Sequence, residues 1–249
     1  MIAKYFSLTG PKANIISQLQ KEILSLQGFR TTRNLSDVDL GLGQINQAFP
    51  NENFPLTAVH EFLSMDAEHA AATNGFVSCI VSSLMKNNGA AVWIGRERKI
   101  FPPALKSFAI CPDQIIFIVA KSQKEILWCM EEALKCEGLA AVICEIKEIS
   151  FTESRRLQLA VEKSRVTGFI IRDQPRNIGV NACVSRWKIS SIQSEPVDGL
   201  PGIGFPRWNI ELLKIRNGKP GSWQVEWSHG KLQIINEMVL IPAEKRKAV

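Results

Sequence analysis

The sequence predicts an α/β fold with a mixed sheet: a parallel core with helices on both faces, continued by antiparallel hairpins toward the C-terminus. Three observations carry this expectation. Between residues 56 and 171, short, nearly continuous apolar runs alternate with helix-length amphipathic patterns. Strands buried on both faces, and the helices that connect them, read this way. After Arg172 the apolar period shortens to alternation, with Gly, Pro and Asn at the turns. Finally, residues 56–86 read as a strand, a loop and a helix. In an α/β protein a helix N-terminus placed there aims free N–H groups at an anion.

Taken in order, residues 12–26 form an amphipathic pattern with Ile15, Ile16, Leu19, Ile23, Leu24 and Leu26 on one stripe. Gly28 suits its C-terminal stop. Residues 29–55 show little periodicity and read as a linker. Residues 56–63 are a strand, 64–74 a loop and 75–86 a helix. The run Ala90-Ala91-Val92-Trp93-Ile94-Gly95 is a buried strand. Residues 101–108 suit a helix opened by Pro102 and Pro103, because proline is tolerated in a first turn. Residues 115–119 are a second buried strand.

A helix follows over 122–136, with Ser122 as N-cap and Glu125 completing a capping box. The strand 139–145 ends in a carboxylate, Glu145. Residues 152–165 are a helix with Thr152 as candidate N-cap, and 167–171 a strand. Alternation then recurs at 182–190, 207–216, 223–227 and 232–235, with a strong turn signal in Asn217-Gly218-Lys219-Pro220-Gly221. The domain plan is an N-terminal helix and linker (1–53), one core (54–242) and a mobile basic tail (243–249).

Composition bounds the function. A length of 249 residues with 45% hydrophobic content suits one sizeable core. No apolar run reaches the roughly 20 residues of a membrane span, and residues 1–6 lack a secretory pattern. A cytoplasmic protein with no membrane partner is expected. The six cysteines form no C-x-x-C, and the three histidines are not at ligand spacing. They read as reduced core thiols, and no metal is expected. The net charge of +6 permits contact with nucleic acid or an acidic partner without demanding it.

Several polar groups stand out. The loop 64–74 holds no glycine for close backbone approach and no lysine for phosphates, while Asp66 and Glu68 would repel them. Arg155 and Arg156 sit early in a helix, where the dipole disfavours cations. They point to an acidic partner, either within the fold or at an interface. Arg172, Arg176, Arg186 and Lys188 cluster around the loop 173–181. With Trp187 they fit either a single-strand binder, with cations on the backbone and a base on the ring, or a solvated loop whose tryptophan is core. Trp208, Trp223 and Trp227 read as core aromatics. The 12–26 stripe packs on its own core or on another subunit or partner.

Three stretches carry a family resemblance: Phe54-Pro55-Leu56-Thr57-Ala58-Val59-His60-Glu61, Val92-Trp93-Ile94-Gly95-Arg96, and Thr152-Glu153-Ser154-Arg155-Arg156-Leu157-Gln158-Leu159-Ala160. Leu127-Trp128 to Ala133-Leu134 and Pro206-Arg207-Trp208 to Trp223-Gln224-Val225-Glu226-Trp227 support it. In this order and spacing the chain resembles the RecA-like core and, more closely, the ImuA family of RecA-related accessory proteins in bacterial mutagenic DNA repair. The resemblance covers residues 54–228.

It implies a RecA-like fold and a place for each part of the ATP site. The phosphate-binding lysine and its following hydroxyl fall near Asn74 and Gly75, which supply neither charge nor magnesium ligand. The metal-side carboxylate falls at Glu145, the water-positioning glutamate near Glu97, and the nucleotide-sensing glutamine near Gln174. The bland reading of Glu97 and Glu145 is a pair of partly exposed carboxylates matched by Arg96 or Arg98. The expectation is a non-hydrolysing adaptor with no catalytic residue and no cofactor. Its implied setting is SOS-induced translesion synthesis, beside the polymerase-like ImuB and a DnaE-type polymerase, in contact with RecA. Single-stranded DNA and self-association stay open as further partners. The alternatives are a divergent ATPase and a plain single-strand DNA binder.

Overall fold

The computed structural model describes residues 38–86, 89–196 and 204–238. The chain divides into two units, Met1–Asp37 and Val38–Val249, and every described residue belongs to the second. The 12–26 helix and the 243–249 tail lie outside the described residues.

Among the described residues, nine strands form one sheet in the order β3-β2-β4-β5-β1-β6-β7-β8-β9. They are β1 (Val59–Ser64), β2 (Ala90–Gly95), β3 (Ile115–Val119), β4 (Leu139–Ile146), β5 (Thr167–Asp173), β6 (Ser185–Ile192), β7 (Arg207–Ile215), β8 (Gly221–Ser228) and β9 (Lys231–Met238). All pairs from β3 to β6 are parallel. The pairs β6–β7, β7–β8 and β8–β9 are antiparallel. Alternation beginning near 182 was expected to mark antiparallel pairing throughout. Instead β6 runs parallel to β1 and the direction changes only at β7. Alternation follows burial, not direction: β6 is where one sheet face first loses its helical cover.

Among the described residues, three α-helices pack on the parallel half: α1 (Ala67–Met85), α2 (Gln123–Leu134) and α3 (Phe151–Ser164). On one face Val59, Val92, Ile94, Val142, Cys144 and Ile170 meet Ile126, Leu127, Met130 and Leu134 of α2 and Leu157 and Val161 of α3. On the other, Phe62 and Trp187 pack against Phe76 of α1. β1 is therefore buried along its whole length, its polar His60, Glu61 and Ser64 included.

Local chemistry sets the helix starts. Ser122 Oγ accepts from Glu125 N at 3.2 Å and Glu125 Oε2 accepts from Lys121 N at 2.9 Å. In α3 the cap is Ser150, not Thr152. Ser150 Oγ accepts from Glu153 N, and Glu153 Oε2 accepts from Ser150 N at 2.8 Å. Ser150 has a glutamate three residues on, whereas Thr152 has Arg155, so only Ser150 makes a reciprocal box.

Two further expectations are corrected. β3 is an edge strand, with Ile116 and Val119 exposed, and not a buried one. The stretch read as linker is packed from residue 40 onward. Two 3-10 turns, Gly43–Ala48 and Pro50–Glu52, bury Leu42, Ile45 and Phe49. Phe49 and Phe54 lie 5.8 and 6.4 Å from Trp187, ring centre to ring centre. Burying each such side chain contributes about 1.5–3 kcal/mol. Asn, Gly and Pro hid this segment because its contacts are irregular and not periodic.

Candidate functional site

The carboxyl ends of β1, β2, β4 and β5 line one edge of the sheet, where ligands of open α/β folds bind. The turn after β1 decides what that edge can hold. β1 ends at Ser64, only Met65 and Asp66 intervene, and α1 begins at Ala67. The expected loop over 64–74 is instead the first two turns of a 19-residue helix. Asp66 caps it: Oδ1 accepts from His69 N at 2.8 Å, and the Asp66 carbonyl accepts from Ala70 N at 2.9 Å. Glu68 stands in the same first turn and accepts from Ser191 Oγ. The positive end of the dipole is met by the protein's own carboxylates.

Asn74 and Gly75 therefore do not stand at a helix N-terminus. At 1.5 Å per residue they lie about 12 Å along the axis. Gly75 is a packing glycine, since a Cβ there would come within 2.8 Å of Trp208 Cζ2 and 3.3 Å of Phe108. Asn74 Oδ1 is buried with no hydrogen-bond partner among the described residues. The expected grouping of Asn74 and Gly75 with Glu97, Glu145 and Gln174 does not form.

The other three do reach the edge. Glu97 is exposed just after β2, and Gln174 follows β5 directly. Glu145 lies in β4, and its Oε1 accepts from Trp93 Nε1 at 2.8 Å. An indole, not Arg96 or Arg98, is its partner. No ion pair joins Glu97, Arg96 or Arg98 among the described residues. Burial pushes the Glu145 carboxyl above the ordinary range, and the Trp93 hydrogen bond opposes this. Lys99 Nζ bridges to Asp173 Oδ2 at 2.6 Å, and that bond raises the lysine above its usual value. Gln174 takes a left-handed backbone (φ 48°) and its N–H donates to Ser64 O at 2.7 Å, clasping β5 to β1. The hollow beside Trp93, Gly95 and Lys99 has an empty volume of about 220 Å³, open solvent included.

A second constellation lies one strand over. Glu61 of β1 is fully buried between Arg172 of β5 and Arg186 of β6. Arg172 Nη1 donates to Glu61 Oε1 at 3.0 Å, and Arg186 Nε donates to Glu61 Oε2. Arg172 also donates to Lys147 O (3.0 Å), Glu148 Oε2 (2.6 Å) and Asn177 O (2.7 Å). Arg186 Nη2 reaches Gly179 O at 2.6 Å. Both arginines, expected at a DNA-facing loop, are thus spent inside the fold. Trp187 is core, its ring parallel to Phe62 within 7° at 6.0 Å. Glu61 was missed, although a carboxylate between His60 and Phe62 in an apolar strand demands a buried cation. Arg155 pairs with Glu162 at 4.0 Å and Arg156 with Glu131 of α2. Arg176 is exposed, with no ion pair among the described residues.

No family model matches the chain. Over 198 residues it is 32% identical to Protein ImuA of Caulobacter vibrioides strain NA1000 / CB15N, covering 75% of this chain and 81% of that protein. The same figures hold for Protein ImuA of strain ATCC 19089 / CIP 103742 / CB 15. This chain belongs to the ImuA family. Among solved structures, the crystal structure of the RadB recombinase aligns with this ImuA-family chain at a TM-score of 0.55 and 10% identity. The alignment covers 80% of this chain and all of that one. It shows that the ImuA core described above has a RecA-like fold. Among the described residues of this ImuA chain, no helix is long and apolar enough to cross a membrane.

Proposed function

We propose that this chain is a non-hydrolysing RecA-like adaptor in the bacterial response to DNA damage. In this reading it bridges or modulates RecA and the ImuB/DnaE-type polymerase complex of error-prone translesion synthesis. The supporting observation is the two-residue connection from β1 to α1. ATP chemistry in this fold needs a glycine-rich loop, a lysine and a hydroxyl ahead of the helix. Here Asp66 caps the helix directly and Glu68 adds a second carboxylate. Glu145, the remaining metal-side carboxylate, is tied to Trp93.

Adjacent RecA subunits sandwich ATP between them. A subunit with this frame and no nucleotide joins or ends such an assembly without renewing it. Two measurements test the reading. Calorimetry with Mg-ATP gives no binding heat, and size exclusion with purified RecA or the polymerase-related partner gives a complex. Micromolar ATP binding that is lost in Glu145→Ala overturns the reading in favour of a divergent ATPase. The absence of both complexes removes the adaptor.

A further inference from the structure

We infer that the loop between β5 and β6, together with the first turn of α3, is a docking surface for an apolar protein segment flanked by carboxylates. This rests on the adaptor reading and gives it a surface.

The loop lies across the start of α3 and is held there at both ends. Glu148 stands three residues before Phe151, and its Oε1 accepts from Arg176 N at 2.6 Å and Asn177 N at 3.4 Å. Ser154 stands three residues after Phe151, and its Oγ accepts from Ala182 N at 3.0 Å. Between these ties the buried arginines hold the backbone from below, Arg172 at Asn177 O and Arg186 at Gly179 O. The loop backbone is thus fixed by groups that β1, β5 and β6 themselves fix.

Its apolar side chains point outward. Val180 is 79% exposed, Phe151 55% and Ile178 45%. None contributes to the core. A fixed backbone that presents large apolar side chains loses little freedom when a partner covers them. Apolar patches with a polar rim mark protein contacts.

Charge selects the occupant. Arg155 and Arg176 are exposed beside the patch. Arg155 has only a 4.0 Å surface contact with Glu162, and Arg176 has no ion pair among the described residues. The carboxylates at this helix start are already engaged, Glu148 by Arg172 and Glu153 by Ser150 of the cap. The rim is cationic and fits carboxylates on the partner. Nucleic acid fits less well. Arg172 and Arg186 lie beneath the loop, Trp187 is in the core, and of the three exposed apolar side chains only Phe151 offers a ring on which a base can stack.

The test uses the full-length chain with purified RecA, the purified polymerase-related partner and oligo-dT. Two variants are compared with wild type: Ile178→Asp with Val180→Asp, and Arg155→Glu with Arg176→Glu. All four positions are exposed, so the fold is kept. The expected result is a protein complex weakened at least about tenfold in both variants. A complex of unchanged affinity in both variants overturns this surface and leaves the adaptor standing. No complex with wild type removes the adaptor and this occupant together. Oligo-dT binding lost in both variants, with protein binding intact, overturns the protein occupant and assigns the surface to nucleic acid.

Discussion

The carboxylate of Asp66 accepts the backbone N–H of His69 at 2.8 Å, at the end of α1 where an ATPase of this fold would hold a phosphate. The anion site is filled by the protein itself. Removing the cap would free an N–H but would restore neither loop nor lysine. Asp66→Ala is therefore expected to lose about 1 kcal/mol of stability, the usual cost of an N-cap. It is expected to gain no Mg-ATP binding. Urea denaturation and a nucleotide titration of the same variant check both halves.

Glu61 and its two arginines make the opposite prediction. Arg172 is 1% exposed and its charge is matched inside the fold. Truncating one partner of a buried pair leaves the other charge uncompensated, at about 3–5 kcal/mol. Arg172→Ala is expected to fall in that range. Arg176→Ala, at an exposed side chain, is expected to stay within about 0.5 kcal/mol. If Arg172 served chiefly to bind DNA, Arg172→Ala would instead keep its stability and lose oligo-dT affinity.

Burial and period carried most of the fold into the sequence. The bounds of β2 and β3, though not the exposure of β3, were legible residue for residue, because short apolar runs leave little choice. The start of α1 was not. Asp66, Glu68 and Asn74 are poor helix formers or charged, so the segment read as loop. Packing overrides that preference, since Ala72, Thr73, Phe76 and Val77 are all buried. Glu97, Glu145 and Gln174 lie at or beside the carboxyl ends of β2, β4 and β5, positions that the apolar runs of those strands fix. The ties of Glu145 to Trp93 and Arg172 to Glu61 were hidden because they join strands 52 and 111 residues apart.

Gly75 separates a packing glycine from a vestige of a phosphate loop. It sits in mid-helix, where alanine is intrinsically better by about 1 kcal/mol. Its missing Cβ makes room for Trp208 at 2.8 Å and Phe108 at 3.3 Å. Overpacking of this kind costs about 1–3 kcal/mol. Gly75→Ala is expected to be destabilising on balance, and Trp208→Leu in the same chain is expected to recover part of the loss. Thermal melts of the single and double variants read the coupling. A Gly75→Ala chain as stable as wild type or more so would mean that the tryptophan yields without cost.

His60 sets the acid behaviour of the core. Its Nε2 lies 2.9 Å from Pro55 O and its Nδ1 2.7 Å from Ser185 Oγ, which itself accepts from Trp187 Nε1 at 2.7 Å. The chain is satisfied when Nε2 carries the proton, Nδ1 accepts from Ser185 and the ring is neutral. Burial drives the pKa down from 6.5 to about 3, against a smaller upward pull from the Pro55 hydrogen bond. The folded pKa is depressed, so the stabilisation is complete above pH 6.5. As pH falls the unfolded chain takes the proton first. Stability then drops by about 1.4 kcal/mol per pH unit until pH approaches 3. Between pH 7 and pH 5 this contribution amounts to about 2 kcal/mol. Urea denaturation at the two pH values, in wild type and in His60→Gln, isolates it: the wild type is expected to lose about 2 kcal/mol more than the variant. Equal losses would mean that His60 is not held neutral in the folded chain, and that the contacts of Pro55 and Ser185 with its ring are not what joins the segment before β1 to β6.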